Sequence, residues 1–165
     1  MSLYTSLGVN FHLLTAYDLL DIDVEILKNN YHAEVDRSLS NRFMLSLEYN
    51  TVYIDFDDTI TRNNEVNEHV MLFIYQLFRK KKRIILLTRH EFDIHKTLST
   101  LKIDKGLFNK IKVLDKHQLK SEAIEDRINV IFIDNSYQER REVKKKLGIP
   151  VFDVDAIQSL IDWRE

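Results

Sequence analysis

The sequence predicts an α/β protein, a Rossmann-like three-layer sandwich around a mainly parallel five-stranded sheet. Three observations carry that expectation. From residue 51 onward, short apolar runs alternate with stretches of helical periodicity, the pattern of repeated βαβ units. The runs are short and mainly apolar, as expected for a parallel sheet covered on both faces. Polar residues stand at the C-terminal ends of those runs, where open α/β sheets place their ligand crevices.

Taken in order, residues 1–50 form an N-terminal flanking segment, either packed on the domain or linking it to a longer protein. Within it, 10–15 and 22–27 fit short strands and 33–47 fits a helix. Met1-Ser2-Leu3 reads as an added remnant and Tyr4 onward as the interior of a longer chain, so a C-terminal domain of a larger protein is expected. The domain itself spans 51–165. Strands are expected at 51–56, 83–88, 110–114, 129–134 and 150–153. A helix is expected over 65–82, because Val66, Val70, Phe73, Ile74, Leu77 and Phe78 recur at helical spacing and make one buried stripe. A second helix fits 136–147, with Gly148 as its stop and Pro150 beyond it. A last helix fits 155–163, carrying Ile157, Leu160, Ile161 and Trp163.

Composition narrows the class. The chain has 165 residues, enough for one domain with a real core. A net charge of −2 gives no global footprint for nucleic acid or an anionic membrane. The absence of cysteine excludes disulfides and thiolate metal sites and fits a cytoplasmic protein. No apolar stretch reaches membrane-spanning length, and there is no signal-peptide pattern. Only three glycines, Gly8, Gly106 and Gly148, are present, and no phosphate-cradling glycine loop can be written from them. Kinase, GTPase and dinucleotide readings fall with it.

The chemistry is concentrated in Tyr53-Ile54-Asp55-Phe56-Asp57-Asp58-Thr59. An apolar run ends there in three carboxylates within four residues. Carboxylates so close repel one another unless a cation sits among them. Oxygen donors without Cys or paired His favour Mg²⁺ over zinc. On a strand, Asp55 and Asp57 would face the same way. Three further pieces follow in order: Arg83-Ile84-Ile85-Leu86-Leu87-Thr88, then Lys120 within Leu119-Lys120-Ser121-Glu122, then Val130-Ile131-Phe132-Ile133-Asp134. Each polar residue among them has an ordinary reading alone: Thr88 or Asp134 as a helix cap, Lys120 as a solvated helix residue. Lys116 could also fill the place of Lys120.

Together these pieces resemble the DxDxT pattern and companion motifs of the haloacid dehalogenase-like superfamily, over residues 50–165. The resemblance implies a Mg²⁺-dependent phosphomonoester hydrolase. It would make Asp55 the nucleophile that forms an aspartyl-phosphate, and Asp57 the acid and base. Mg²⁺ would be held by Asp55, the Asp57 backbone carbonyl and Asp134. Thr88 and backbone N–H groups from Phe56 onward would bind the phosphoryl oxygens, Lys120 would offset their charge, and Thr59 would support the loop. The pattern departs from the family after Asp134, where Asn135 stands in place of a second acid, with Glu139 one turn later. Asn135 can still ligate through its carbonyl oxygen or hold a metal-bound water. Glu139 either compensates or complements the helix dipole.

The interval from Thr59 to Arg83 has room for one helix, and that from Thr88 to Lys120 for helices and the third strand, so the site is expected to be capless. An open site implies a large or extended phosphorylated substrate, a partner copy in a homo-oligomer, or a neighbouring domain as cover. Residues 1–50 also resemble the junction between a carbamoyl-phosphate-synthase-like ATP-grasp enzyme and a trailing phosphatase-like domain. That resemblance implies an alternative, a catalytically weak regulatory or binding module on a larger enzyme. A receiver-like phospho-acceptor fits less well, because its acceptor Asp would end a third strand rather than the first. The basic runs 79–83 and 144–146 read as solvated helix ends rather than nucleic-acid patches. Among the six histidines, only His90, next to Arg89, is expected near the site. Arg89 is a candidate contact for a substrate anion.

Overall fold

A computed structural model describes residues 3–37 and 41–164. Met1 and Ser2, which begin the expected remnant, lie outside the described residues, as do 38–40 and Glu165. The chain opens with two helices, α1 (Leu3–Ser6) and α2 (Phe11–Leu19), followed by an antiparallel pair, β1 (Ala33–Arg37) and β2 (Asn41–Leu45). Three sequence expectations are corrected here. Within the expected strand 10–15, residues 11–15 are helical, because the Asn10 side chain accepts the Leu13 N–H and caps α2. Residues 22–27 carry no strand. The stretch 33–47 is two strands rather than one helix. Ala33 and Val35 pair with Leu45 and Phe43, so the apolar residues recur with period two.

The domain follows: β3 (Thr51–Ile54), a small hairpin of β4 (Thr61–Arg62) and β5 (Glu65–Val66), α3 (Glu68–Arg79), β6 (Arg83–Thr88), α4 (Ile94–Thr100), β7 (Lys110–Val113), α5 (Lys120–Ala123), β8 (Val130–Ile133), α6 (Tyr137–Leu147), β9 (Val151–Phe152) and α7 (Ile157–Leu160). One five-stranded sheet runs in the order β7-β6-β3-β8-β9, every pair parallel. The chain builds outward from β3 to β6 and β7, then returns to the other side of β3 for β8 and β9. The strand order therefore reverses at β3, and the crevice for a ligand falls at the C-terminal ends of β3 and β8.

Alternation along the strands makes two cores. Val52, Ile54, Ile84, Leu86, Ile131 and Ile133 pack with α3, α4 and α7 on one face. Tyr53, Ile85, Leu87 and Phe132 pack with residues of α5 and α6 on the other. Helix α3 starts later than its periodicity predicts, because Val66 is taken by the hairpin and Asn67 caps the helix. Phe78, expected in its buried stripe, is 54 % exposed. Trp163 lies beyond the short α7 and donates its indole N–H to the Phe43 carbonyl at 3.2 Å. Gly148 ends α6 at a φ of +67°, a left-handed position that suits glycine. The basic runs have local partners: Lys80 pairs with Asp162, Arg83 with Asp126, and Lys144 bonds Asn29.

Between β3 and β6 the chain carries only the β4–β5 hairpin and α3, with no inserted cap domain in that interval. The N-terminal segment lies against the far edge of the sheet. Leu27 joins the second core, and the buried Asn29 side chain bonds both the N–H and the carbonyl of Val151 in β9.

Candidate active site

Backbone pairing sets the centre of the site. Ile54 and Ile133 are register partners, so Asp55 and Asp134, the next residues of β3 and β8, emerge side by side. The Asp55 N–H is bonded to the Ile133 carbonyl at 3.0 Å and the Asp134 N–H to the Phe152 carbonyl at 3.1 Å. Lys120, the first residue of α5, reaches between them. Its Nζ lies 2.6 Å from Asp55 Oδ1 and 2.6 Å from Asp134 Oδ2. All three side chains are buried, none more than 8 % exposed. Lys116, the alternative on sequence grounds, is exposed.

Two carboxylates and one ammonium leave a net negative charge in a place with little water. Burial pushes Asp55 up to about 7, the Asp134 charge pushes the same way, and Lys120 opposes both. Asp134 is also raised by burial, against the pull of Lys120. Burial lowers Lys120, but Asp55 and Asp134 outweigh it and hold its pKa above the ordinary lysine value. The trio is short of one positive charge.

Around this centre the chain turns tightly. The Phe56 carbonyl accepts the N–H groups of Thr59, Ile60 and Thr61. Asp58 sits at a φ of +53°, a left-handed position that aspartate tolerates better than most residues. Thr59 is fully buried. Its hydroxyl accepts the Asn135 N–H at 3.1 Å and lies 3.4 Å from both Asp55 Oδ2 and Asn135 Oδ1, so it ties the two strand ends together. Asn135 itself is exposed. Thr88, the last residue of β6, is fully buried, and among the described residues its Oγ1 is the one buried side-chain polar atom without a hydrogen-bond partner. An orphan hydroxyl beside a charged crevice is an open hydrogen-bonding position.

Other expected residues sit differently. β3 ends at Ile54, so Asp55 and Asp57 do not share a strand face; Asp57 lies in the turn with its carboxylate about half exposed. His90 Nδ1 is 2.9 and 3.0 Å from the two Asp57 carboxylate oxygens, and His90 Nε2 is 2.9 Å from Thr97 Oγ1. Arg89 is engaged by Glu139, at 2.7 and 3.3 Å, and by the Gln118 carbonyl, at 3.2 and 2.6 Å. Glu139 therefore bonds Arg89 rather than taking the place beside Asp134. Sequence reasoning missed Arg140 altogether. Its guanidinium is buried and bonds the Asp134 and Asn135 carbonyls at 2.6 and 2.7 Å, with Asp153 at 2.5 Å. Within Glu139-Arg140-Arg141-Glu142 it looks like any solvated helix residue; its position six after Asp134 was the only signal.

Among the described residues no three His, Cys, Asp or Glu side chains converge into a metal-ligating group, and no helix is long and apolar enough to cross a membrane. No protein-family model and no curated protein matches the chain.

Proposed function

We propose that the protein is a Mg²⁺-dependent phosphomonoester hydrolase working through an aspartyl-phosphate, as its likeness to the haloacid dehalogenase-like pattern implies. The observation that carries this reading is the buried Asp55–Lys120–Asp134 trio, one charge short of balance, at the switch point of the sheet. A hard divalent cation suits this donor set. The donors are all oxygens, the site lacks positive charge, and Mg²⁺ keeps several waters and so needs only one or two protein carboxylates. Asp55, Asp134, the Asp57 carbonyl and Asn135 would hold it, and it would supply charge neutralisation for an anionic ester.

The residues then divide the work. Asp55 attacks phosphorus in line, forming its own O–P bond as the ester O–P bond breaks. Asp57, exposed enough to meet the ester oxygen, gives it a proton and the alcohol leaves. Asp57 next takes a proton from water, which attacks phosphorus, freeing Asp55 and inorganic phosphate. Thr88 donates its unpaired hydroxyl to a phosphoryl oxygen, and Lys120 holds Asp55 in place and offsets developing charge. Arg89, tied to Glu139, would shape the rim unless that pair opens to a substrate anion. The open strand ends suit a large phosphorylated substrate or a covering partner.

The test is phosphate release from a panel of phosphomonoesters, with Mg²⁺ or with chelator, beside Asp55→Asn. Metal-dependent turnover that the variant loses supports the proposal. No turnover on any ester, with Mg²⁺ binding intact, rejects it in favour of a regulatory module of a larger enzyme.

A further inference from the structure

A cavity of about 500 Å³ opens beside Asp57, on the side of His90 and α4. Phe56, Asp57, His90, Phe92, Lys96 and Leu101 are among its walls, whereas Asp55, Lys120 and Asp134 are not. We propose that this cavity receives the leaving group, and that it selects phosphomonoesters whose alcohol carries an aromatic ring. The proposal rests on the reading of Asp57 as the proton donor to the ester oxygen. Whatever is bonded to that oxygen must lie next to the Asp57 carboxylate, and the Asp57 carboxylate borders this cavity.

The walls indicate what fits. Phe56 and His90 meet edge to face, with ring centroids 5.2 Å apart, and His90 and Phe92 do so at 5.9 Å. The series ends at Phe92, which is 73 % exposed and has no ring beyond it among the described contacts. Aromatic rings favour another ring at such an edge or offset face. The volume is in the range of small-ligand pockets. The walls carry two carboxylates, Asp57 and Asp93, against the one lysine, Lys96, so the cavity has no excess of positive charge for a second phosphate. A neutral ring answers these features better than a sugar or a polyphosphate.

Phenethyl phosphate and propyl phosphate test this directly, because both leave as primary alcohols and differ in the ring. Their kcat/KM values are compared in the wild-type chain and in Phe92→Ala, a change at an exposed side chain that removes no core. The expected ratio is about tenfold in favour of the ring, falling toward one in Phe92→Ala. Binding of the same two esters to Asp55→Asn, followed by ligand-observed NMR, separates the pocket from the chemistry. Turnover with equal values for both esters overturns the pocket and leaves the phosphatase reading standing. A binding preference that Phe92→Ala abolishes, without turnover in the wild type, shows a cavity that binds aromatic rings but overturns its role as a leaving-group site together with the phosphatase reading. Neither turnover nor preference overturns both.

Discussion

Asp55→Asn should make the metal-free protein more stable at neutral pH. In the native chain Asp55 has its pKa raised from 3.8 to about 7, chiefly by burial and then by the Asp134 charge. The native state thus holds a proton that the unfolded chain has released. The sign follows from linkage: this group's contribution is fully present below about pH 4 and is lost as the pH rises through 7. At 1.36 kcal/mol per pKa unit the shift is worth no more than about 4 kcal/mol, and sharing of the proton with Asp134 lowers the yield, so a gain of about 1–3 kcal/mol is expected. The asparagine keeps an oxygen that can accept from Lys120, and the remaining Lys120–Asp134 pair is neutral. Lys120→Met goes the other way. It leaves two buried carboxylates facing each other and should cost about 3–5 kcal/mol. The assay is urea unfolding with chelator present, from pH 4.5 to 8. The wild type should lose stability across that window while Asp55→Asn stays flatter, the two curves parting most above pH 7. A destabilised Asp55→Asn, or curves that run parallel, would refute the charge count.

Thr88→Val keeps the shape of the side chain and removes a buried hydroxyl with no partner; stability should rise by about 1 kcal/mol while phosphate release falls at least about tenfold, read by thermal melting beside turnover. Asn29→Ala should cost about 2–4 kcal/mol, because the fully buried Asn29 bonds Val151 N–H, the Val151 carbonyl and Lys144 Nζ, and its loss leaves both Val151 groups unpaired; a change below about 0.5 kcal/mol in urea unfolding would show the N-terminal segment to be loosely held. Gly148→Ala should cost about 1 kcal/mol through its left-handed φ alone, since the space around it is open.

What the sequence made legible follows from period and position. Four strands of the sheet were readable as apolar runs bounded by polar residues, whereas the edge strand β7 carries Lys110 and Lys112 and was readable only by its place in the series; the register that sets Asp55 beside Asp134 is given by the structure. Lys120 was legible only through its order in the chain; nothing in Leu119-Lys120-Ser121 tells a buried lysine from a solvated one. The β1–β2 pair was not legible. Its apolar residues, Ala33, Val35, Phe43 and Leu45, sit among exposed charges, and tertiary cover decides between helix and strand for such a stretch. The strand face expected to be shared by Asp55 and Asp57 failed for a different reason. Strand alternation was carried two residues beyond the strand, into a turn that Asp58 makes with a positive φ. His90 was placed near the site by order alone, and its bonds to Asp57 and Thr97 depend on α4, whose start is fixed by the Asp93 cap.

Two buried cations meet the end of β8, and the contrast between them separates scaffold from chemistry. Arg140 has one carboxylate, Asp153, and two backbone carbonyls, so its charge and its donors are matched within the fold. Such a network holds Asp134 and Asn135 in place and wants nothing further. Lys120, by contrast, serves two carboxylates with one charge, and in the metal-free protein the balance is made up by a proton that burial favours on Asp55. The imbalance is confined to the residues where the strand order reverses, while the nearby Arg140 network is complete. A fold that satisfies one cation fully and leaves the other divided between two carboxylates concentrates its electrostatic strain where the strand order reverses, and the raised Asp55 pKa is the expression of that strain.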